Sequence, residues 1–284
     1  MGTLIDTLVD PFRPGYMQTA LLEIGVLSVA CGSLGAWVVL RRLAFLSHAL
    51  GHCTFPALVV AALAGWSLVG TSLVAALIVA LILGVLAGRR ELADGVAVAI
   101  VLSTALAIGA VLVSGATDIG QRADTLLFGT LLGVTDADIW RSVAAAVLAL
   151  AVAVGLGRPL LAATFDSDLA QTGGVPARLI TLALLSSLAV TVSATVSIVG
   201  ALMVSALILV PAATAALVAR QLRTLIAASI ALTFLAGTGG LWLAVRLDAP
   251  PGGCIAVVAV GAYLLVALAA SISSRRPWMR VTVS

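Results

Sequence analysis

An all-α bundle of transmembrane helices is the fold this sequence predicts, and three observations predict it. Of 284 residues, 62% are hydrophobic and only 10% charged, with a mean hydropathy of +1.23, far outside the range of water-soluble domains. The apolar residues run in stretches of about 20, the length at which a helix crosses the hydrocarbon core of a bilayer. Arginines collect at every second junction between those stretches, as the positive-inside rule requires of cytoplasmic loops. About nine crossings use up the chain, eight being the other defensible count. Residues 1–284 are therefore expected to form a single transmembrane domain, and a water-soluble enzyme is excluded.

The stretches fall at 17–40, 43–64, 67–88, 95–114, 138–157, 179–197, 199–219, 224–245 and 254–273. Asp6, Asp10, Pro11 and Pro14 precede the first, the opposite of a basic signal-peptide start, so no cleavage is expected. This first span carries Glu23, about two turns in from its outer end and expected to snorkel to the interface. Arg41 and Arg42 separate it from the second span, which holds the only two histidines, His48 and His52, and then Pro56. The third ends at Arg89/Arg90 and the fourth runs out towards Asp118.

Residues 115–137 form the longer outer connection. Within it, Leu126-Leu127-Phe128-Gly129-Thr130-Leu131-Leu132-Gly133 is too short to cross, and is expected as a short helix lying in the interface or dipping into the protein. After the fifth span comes the long inner connection, 158–178. There Thr164-Phe165-Asp166-Ser167-Asp168-Leu169-Ala170-Gln171, stopped by Gly173-Gly174 and Pro176, has the start and stop signals of a short helix, able to present Phe165 and Leu169 as a docking knob. Only Ser197 to Gly200 separate the sixth and seventh stretches, where Pro211 is the other place for the chain to bend. Arg220 and Arg223 precede the eighth, and Arg275, Arg276 and Arg280 follow the ninth.

The arginines orient the bundle. Arg41, Arg42, Arg89, Arg90, Arg158, Arg178, Arg220, Arg223, Arg275, Arg276 and Arg280 fall on one side, while Asp118, Asp124, Asp136, Asp138 and Asp248 mark the other. An N-terminus outside and a C-terminus inside the cell membrane follow. All 15 basic residues are arginine. Without a lysine, the chain lacks the P-loop residue that reaches the β- and γ-phosphates, so an ATP-driven role needs a second protein. Cys31, Cys53 and Cys254 are odd in number and lack C-x-x-C spacing, so neither a disulfide framework nor a zinc knuckle is expected.

Charged and metal-binding side chains at membrane depth are costly and therefore functional candidates. His48 and His52 are four apart, on one face of a helix with β-carbons about 5–6 Å apart, and both imidazoles can reach one metal ion. A helix starting near Leu43 puts His52 roughly 14 Å in, near mid-bilayer. The rival reading is two packed core histidines. The zinc-peptidase helix H-E-x-x-H has similar spacing, but Ala49, Leu50 and Gly51 separate the histidines here and no glutamate can serve as general base, so an intramembrane protease is set aside.

The stretch Leu40-Arg41-Arg42-Leu43-Ala44-Phe45-Leu46-Ser47-His48-Ala49-Leu50-Gly51-His52-Cys53-Thr54-Phe55-Pro56 resembles the metal-ion permease family of ABC importers, the zinc and manganese uptake group. Leu126 to Leu132, Phe165 to Ala170 with Gly174 and Pro176, and Ser205 to Ala215 look like further family segments in the family's order, so the resemblance spans nearly the whole chain. It implies a homodimeric permease that is not itself an enzyme, two copies of a separate ABC ATPase below it, and an extracytoplasmic solute-binding protein that delivers the metal. Lipid is the remaining partner, and no nucleic acid is expected. Phe165, Asp166, Asp168, Leu169 and Gly174 would belong to the coupling helix that docks into the ATPase. Ser47, Ser205 and Pro211 would line the pathway. His48 stands where the family usually has Asp, so the pathway pair is His/His; imidazole suits zinc, whereas carboxylate oxygen suits manganese. The cargo is therefore expected to be a divalent ion, zinc ahead of manganese, with no permanently bound cofactor. A carrier or channel using the histidines as a proton relay is the alternative, although carriers usually show internal repeats and none is evident.

Overall fold

The computed structural model describes residues 14–86, 96–114, 129, 131–165, 177–201 and 203–272. Those residues form helices and no strands: α1 (Gly15–Leu40), α2 (Ala44–Cys53), α3 (Phe55–Ala64), α4 (Leu68–Leu86), α5 (Val96–Ser114), α6 (Asp136–Leu150), α7 (Gly157–Phe165), α8 (Ala177–Val199), α9 (Val204–Val218), α10 (Leu222–Leu247) and α11 (Pro251–Ile272). A 3-10 turn, Leu131–Gly133, precedes α6, and a π turn, Ala151–Gly155, joins α6 to α7.

Six segments have the length and hydropathy to cross a bilayer: α1, the α2–α3 pair (Ala44–Ala64), α6 with its π turn (Asp136–Gly155), Leu179–Val196 of α8, α10 and α11. Leu68–Gly84, Val98–Ser114 and α9 are shorter apolar helices. Each expected stretch thus coincides with a helical segment. α9 is short because the chain turns at Gly200–Met203, and not at Pro211, which sits inside the helix. The turn is buried, with Val196, Ile198, Val199, Ala201 and Val204 all at most 3% exposed. Irregular backbone at membrane depth is tolerable where protein surrounds it.

α1 stands at the centre, packed against α6, α9 and α10, with Met17, Leu27, Leu34 and Trp37 fully buried. Glycines permit that crowding. A methyl group at Gly32 would stand 2.6 Å from the Ile230 α-carbon, and one at Gly35 would run into the Ile208 carbonyl. Helix association in lipid rests on close packing rather than on the hydrophobic effect, so such contacts hold the bundle together. The outer faces are apolar instead: Val74, Ile78 and Leu81 on α4 and Leu264, Leu265 and Leu268 on α11 are more than half exposed, as lipid-facing helices require.

Register fixes which helix ends lie together. Gly32 lies beside Ile230 and Gly237 beside Ile24, so α10 runs antiparallel to α1 and its Trp242 comes level with the start of α1. Tyr16 is at that same end, as are Trp66 after α3 and Trp140 at the start of α6. The four make an aromatic belt of the kind found at a membrane interface. At the other end are Arg41, Arg42, Arg158, Arg220 and Arg223. Here the Trp37 indole donates to the Ala153 carbonyl of the π turn at 3.1 Å, and Arg41 Nη2 donates to Thr181 Oγ1 at 3.1 Å, tying α1 to α6 and α8.

Two local expectations change. Glu23 does not snorkel: it is fully buried, because α6 lies across α1 at that depth and Ser142 Oγ donates to its Oε1. Thr164 does not cap a new helix. It sits in the last turn of α7, where its Oγ1 donates to the Leu160 carbonyl at 2.6 Å.

Candidate functional site

His48 and His52 share one face of α2, as the four-residue spacing predicts, with ring centroids 4.1 Å apart and planes inclined by 41°. His52 is 7% exposed and His48 half-buried. Their ring nitrogens are not equivalent. His52 Nδ1 lies 3.1 Å from the His48 carbonyl, and since a carbonyl only accepts, Nδ1 carries the hydrogen and Nε2 presents its lone pair. His48 Nδ1 lies 3.0 Å from Ser205 Oγ; donation to that hydroxyl leaves its Nε2 in the same state. A metal-ligating imidazole is typically held this way, its second nitrogen bonded to an outer group that fixes tautomer and orientation.

The backbone around the pair is interrupted twice. α2 gives way to α3 at Thr54, which stays in the helical region (φ −77°, ψ −20°), so the segment continues. Pro56 has no N–H for the carbonyl four residues back, and the His52 carbonyl accepts from the Thr54 N–H instead. Facing it is the buried turn between α8 and α9. Gly200 adopts φ +95°, Met203 and Val204 donate back to its carbonyl at 3.2 Å, and α9 then starts with Ser205 in its first turn. A methyl at Gly51 would meet the Ala201 carbonyl at an ordinary 3.6 Å, so this turn lies directly against α2.

The other expected residues divide. Ser205 is brought to His48. Ser47 is 1% exposed, and its hydroxyl has no partner among the described residues. Pro211 is buried but lies six residues beyond Ser205, about 240° further around the helix, and so is on a different face. Phe165 ends α7, at the same end of the bundle as Arg41. Asp166, Asp168, Leu169 and Gly174 lie outside the described residues. Among those residues no group of three or more His, Cys, Asp or Glu is arranged to hold a metal ion, so the pair alone offers an incomplete shell.

Of the connection 115–137, Gly129 has φ +77° and packs on the Ile198 carbonyl and the Val199–Gly200 peptide. Sequence reading singled out this segment for its apolar character and missed its contact with the helix break. The Gly129 and Gly200 pair was the available signal, since close backbone approach at positive φ favours glycine on both sides.

The ABC 3 transport family matches residues 14–270. The manganese transport system membrane protein MntC of Halalkalibacterium halodurans is 28% identical over 250 residues, which cover 88% of this chain and 86% of that protein. The manganese import system permease protein ScaB of Streptococcus parasanguinis is also 28% identical, with 88% and 89% covered, and the chelated iron transport system membrane protein YfeD of Yersinia pestis is 26% identical over 258 residues, 91% and 86% covered. Among solved structures, PsaBC from Streptococcus pneumoniae in complex with Fab superposes with a TM-score of 0.80 at 25% identity, covering 92% of this chain and 95% of that one. A fold shared with a chain of that complex, helical throughout the described residues, and a family match over nearly the whole length lead to one conclusion: this chain is a membrane-spanning permease belonging to the ABC 3 transport family.

Proposed function

We propose that the chain is the membrane subunit of an ATP-driven importer of divalent transition-metal ions, zinc ahead of manganese, and that His48 and His52 form the site through which the ion passes. The observation that carries this reading is the pair of adjacent, tilted imidazoles whose Nδ1 atoms are both engaged, by Ser205 and by the His48 carbonyl; with His48 donating to the Ser205 hydroxyl, two Nε2 lone pairs are left for an ion. The relatives' names, manganese and chelated iron, support a first-row metal. The tilt to zinc rests on the donor set alone, since imidazole suits the later metals and carboxylate suits manganese. Two histidines underfill a tetrahedral zinc shell. A two-fold homodimer supplies four, and an adaptable shell suits a site that has to release its ion.

The remaining parts follow the same reading. With no lysine for a P-loop, ATP hydrolysis belongs to two copies of a partner ATPase, which dock on Phe165, Asp166, Asp168, Leu169 and Gly174 at the arginine-rich end. An extracytoplasmic solute-binding protein delivers the ion at the aromatic end. The arginine asymmetry supports the N-terminus outside and the C-terminus inside a prokaryotic cell membrane, and 1–284 acts as one permease domain. His48→Asp tests the metal assignment. In proteoliposomes holding the full transporter, zinc and manganese competing for uptake should shift towards manganese in this variant. An unchanged ratio would remove His48 from selectivity.

A further inference from the structure

The Gly129 contact has a chemical consequence for the histidine pair. Gly129 meets the bundle at its backbone: a methyl group there would stand 2.6 Å from the Gly200 nitrogen and 2.5 Å from the Val199 carbonyl carbon. Contacts that short are with backbone, which cannot swing aside as a side chain does. The same turn launches α9, and Ser205 lies five residues after Gly200. Its hydroxyl is the group that holds His48 Nδ1 at 3.0 Å. Ser205 is only 5% exposed, and the turn around it is closed by the Gly200 carbonyl taking two N–H groups. A displacement at Gly200 is therefore carried into the first turn of α9.

We infer that Gly129 is a positioning residue for the metal pathway: by seating on the turn at Gly200 it sets Ser205 against His48, and thereby the imidazole's tautomer and aim. The inference rests on the pathway reading of His48 and His52, but adds a residue in a different connection of the chain, with no contact to the ion. Outer partners of metal-binding histidines typically contribute 10–100-fold to metal affinity. A residue acting through such a partner draws on the same factor.

A double-mutant cycle on the full-length chain in lipid nanodiscs tests it, with Zn²⁺ as the titrated ion and the visible spectrum of bound Co²⁺ as a reporter of ligand geometry. Ser205→Ala and Gly129→Ala should each weaken zinc binding about tenfold or more and change the cobalt spectrum. The two together should be no worse than Ser205→Ala alone, because both remove one interaction. Gly129→Asn accompanies them, since Asn tolerates positive φ better than Ala and isolates the collision of the added side chain from the backbone conformation. His52→Ala serves as the arm for the underlying reading and should abolish binding.

Parental affinity and spectrum in a folded Gly129→Ala or Gly129→Asn chain would overturn the positioning role. So would an effect that adds in full to that of Ser205→Ala, or failure of both Gly129 variants to assemble, which would assign the contact to the fold alone. Undiminished zinc binding by His52→Ala would instead overturn the pathway reading itself.

Discussion

At the scale of single residues, the buried polar groups show where the bundle is committed. Glu23 is fully buried, one carboxyl oxygen receiving the Ser142 hydroxyl and the other without a partner among the described residues. Ser142→Ala would leave the whole carboxyl unsatisfied, at a cost of about 1–3 kcal/mol. A melting temperature lowered in detergent checks this; an unchanged one would mean that water or another group takes the hydroxyl's place. The histidine pair was legible in the sequence because spacing on a helix is fixed by geometry. The burial of Glu23 was not, because it depends on α6, more than a hundred residues away, lying across α1 at that depth. Asp138 shows a similar limit: its place on the outer side was read from charge alone, yet its carboxylate accepts from Thr135 in a capping box and pairs with Arg141 at 2.9 Å.

At the scale of elements, glycine positions decide how close helices come. Gly32 faces the Ile230 backbone with no room for a methyl group, whereas Gly25 has only the Phe234 ring at 3.9 Å. Gly32→Ala should destabilise the chain by about 1–3 kcal/mol through overpacking, and Gly25→Ala should leave it near neutral. Comparing the two in one thermal assay controls for helix propensity, since both replace glycine by alanine in α1. Helix positions were legible because each apolar run has nearly the length of a crossing and is bounded by arginine, proline or glycine. The runs marked two places for a bend, Ser197 to Gly200 and Pro211, and could not decide between them; the chain turns at the first. A hydrophobic stretch reads alike whether its backbone is helical or turned, and only the buried partners on both sides make a turn at that depth tolerable.

At the scale of the whole molecule, the proposed function divides the labour between the aromatic and arginine-rich ends, with delivery of the ion assigned to one and ATPase docking to the other. Asp166→Lys or Leu169→Arg, in the connection that follows α7, should therefore weaken co-purification with the ATPase and uncouple transport while the permease alone melts normally. Normal ATPase association in these variants would displace the coupling role from this segment. The central claim is that the ion passes His48 and His52, and zinc uptake by the reconstituted transporter carrying His48→Gln and His52→Gln together tests it most directly. The claim predicts assembled complexes that still hydrolyse ATP but import zinc at background rates. Zinc import at the parental rate by a well-assembled double variant would contradict it.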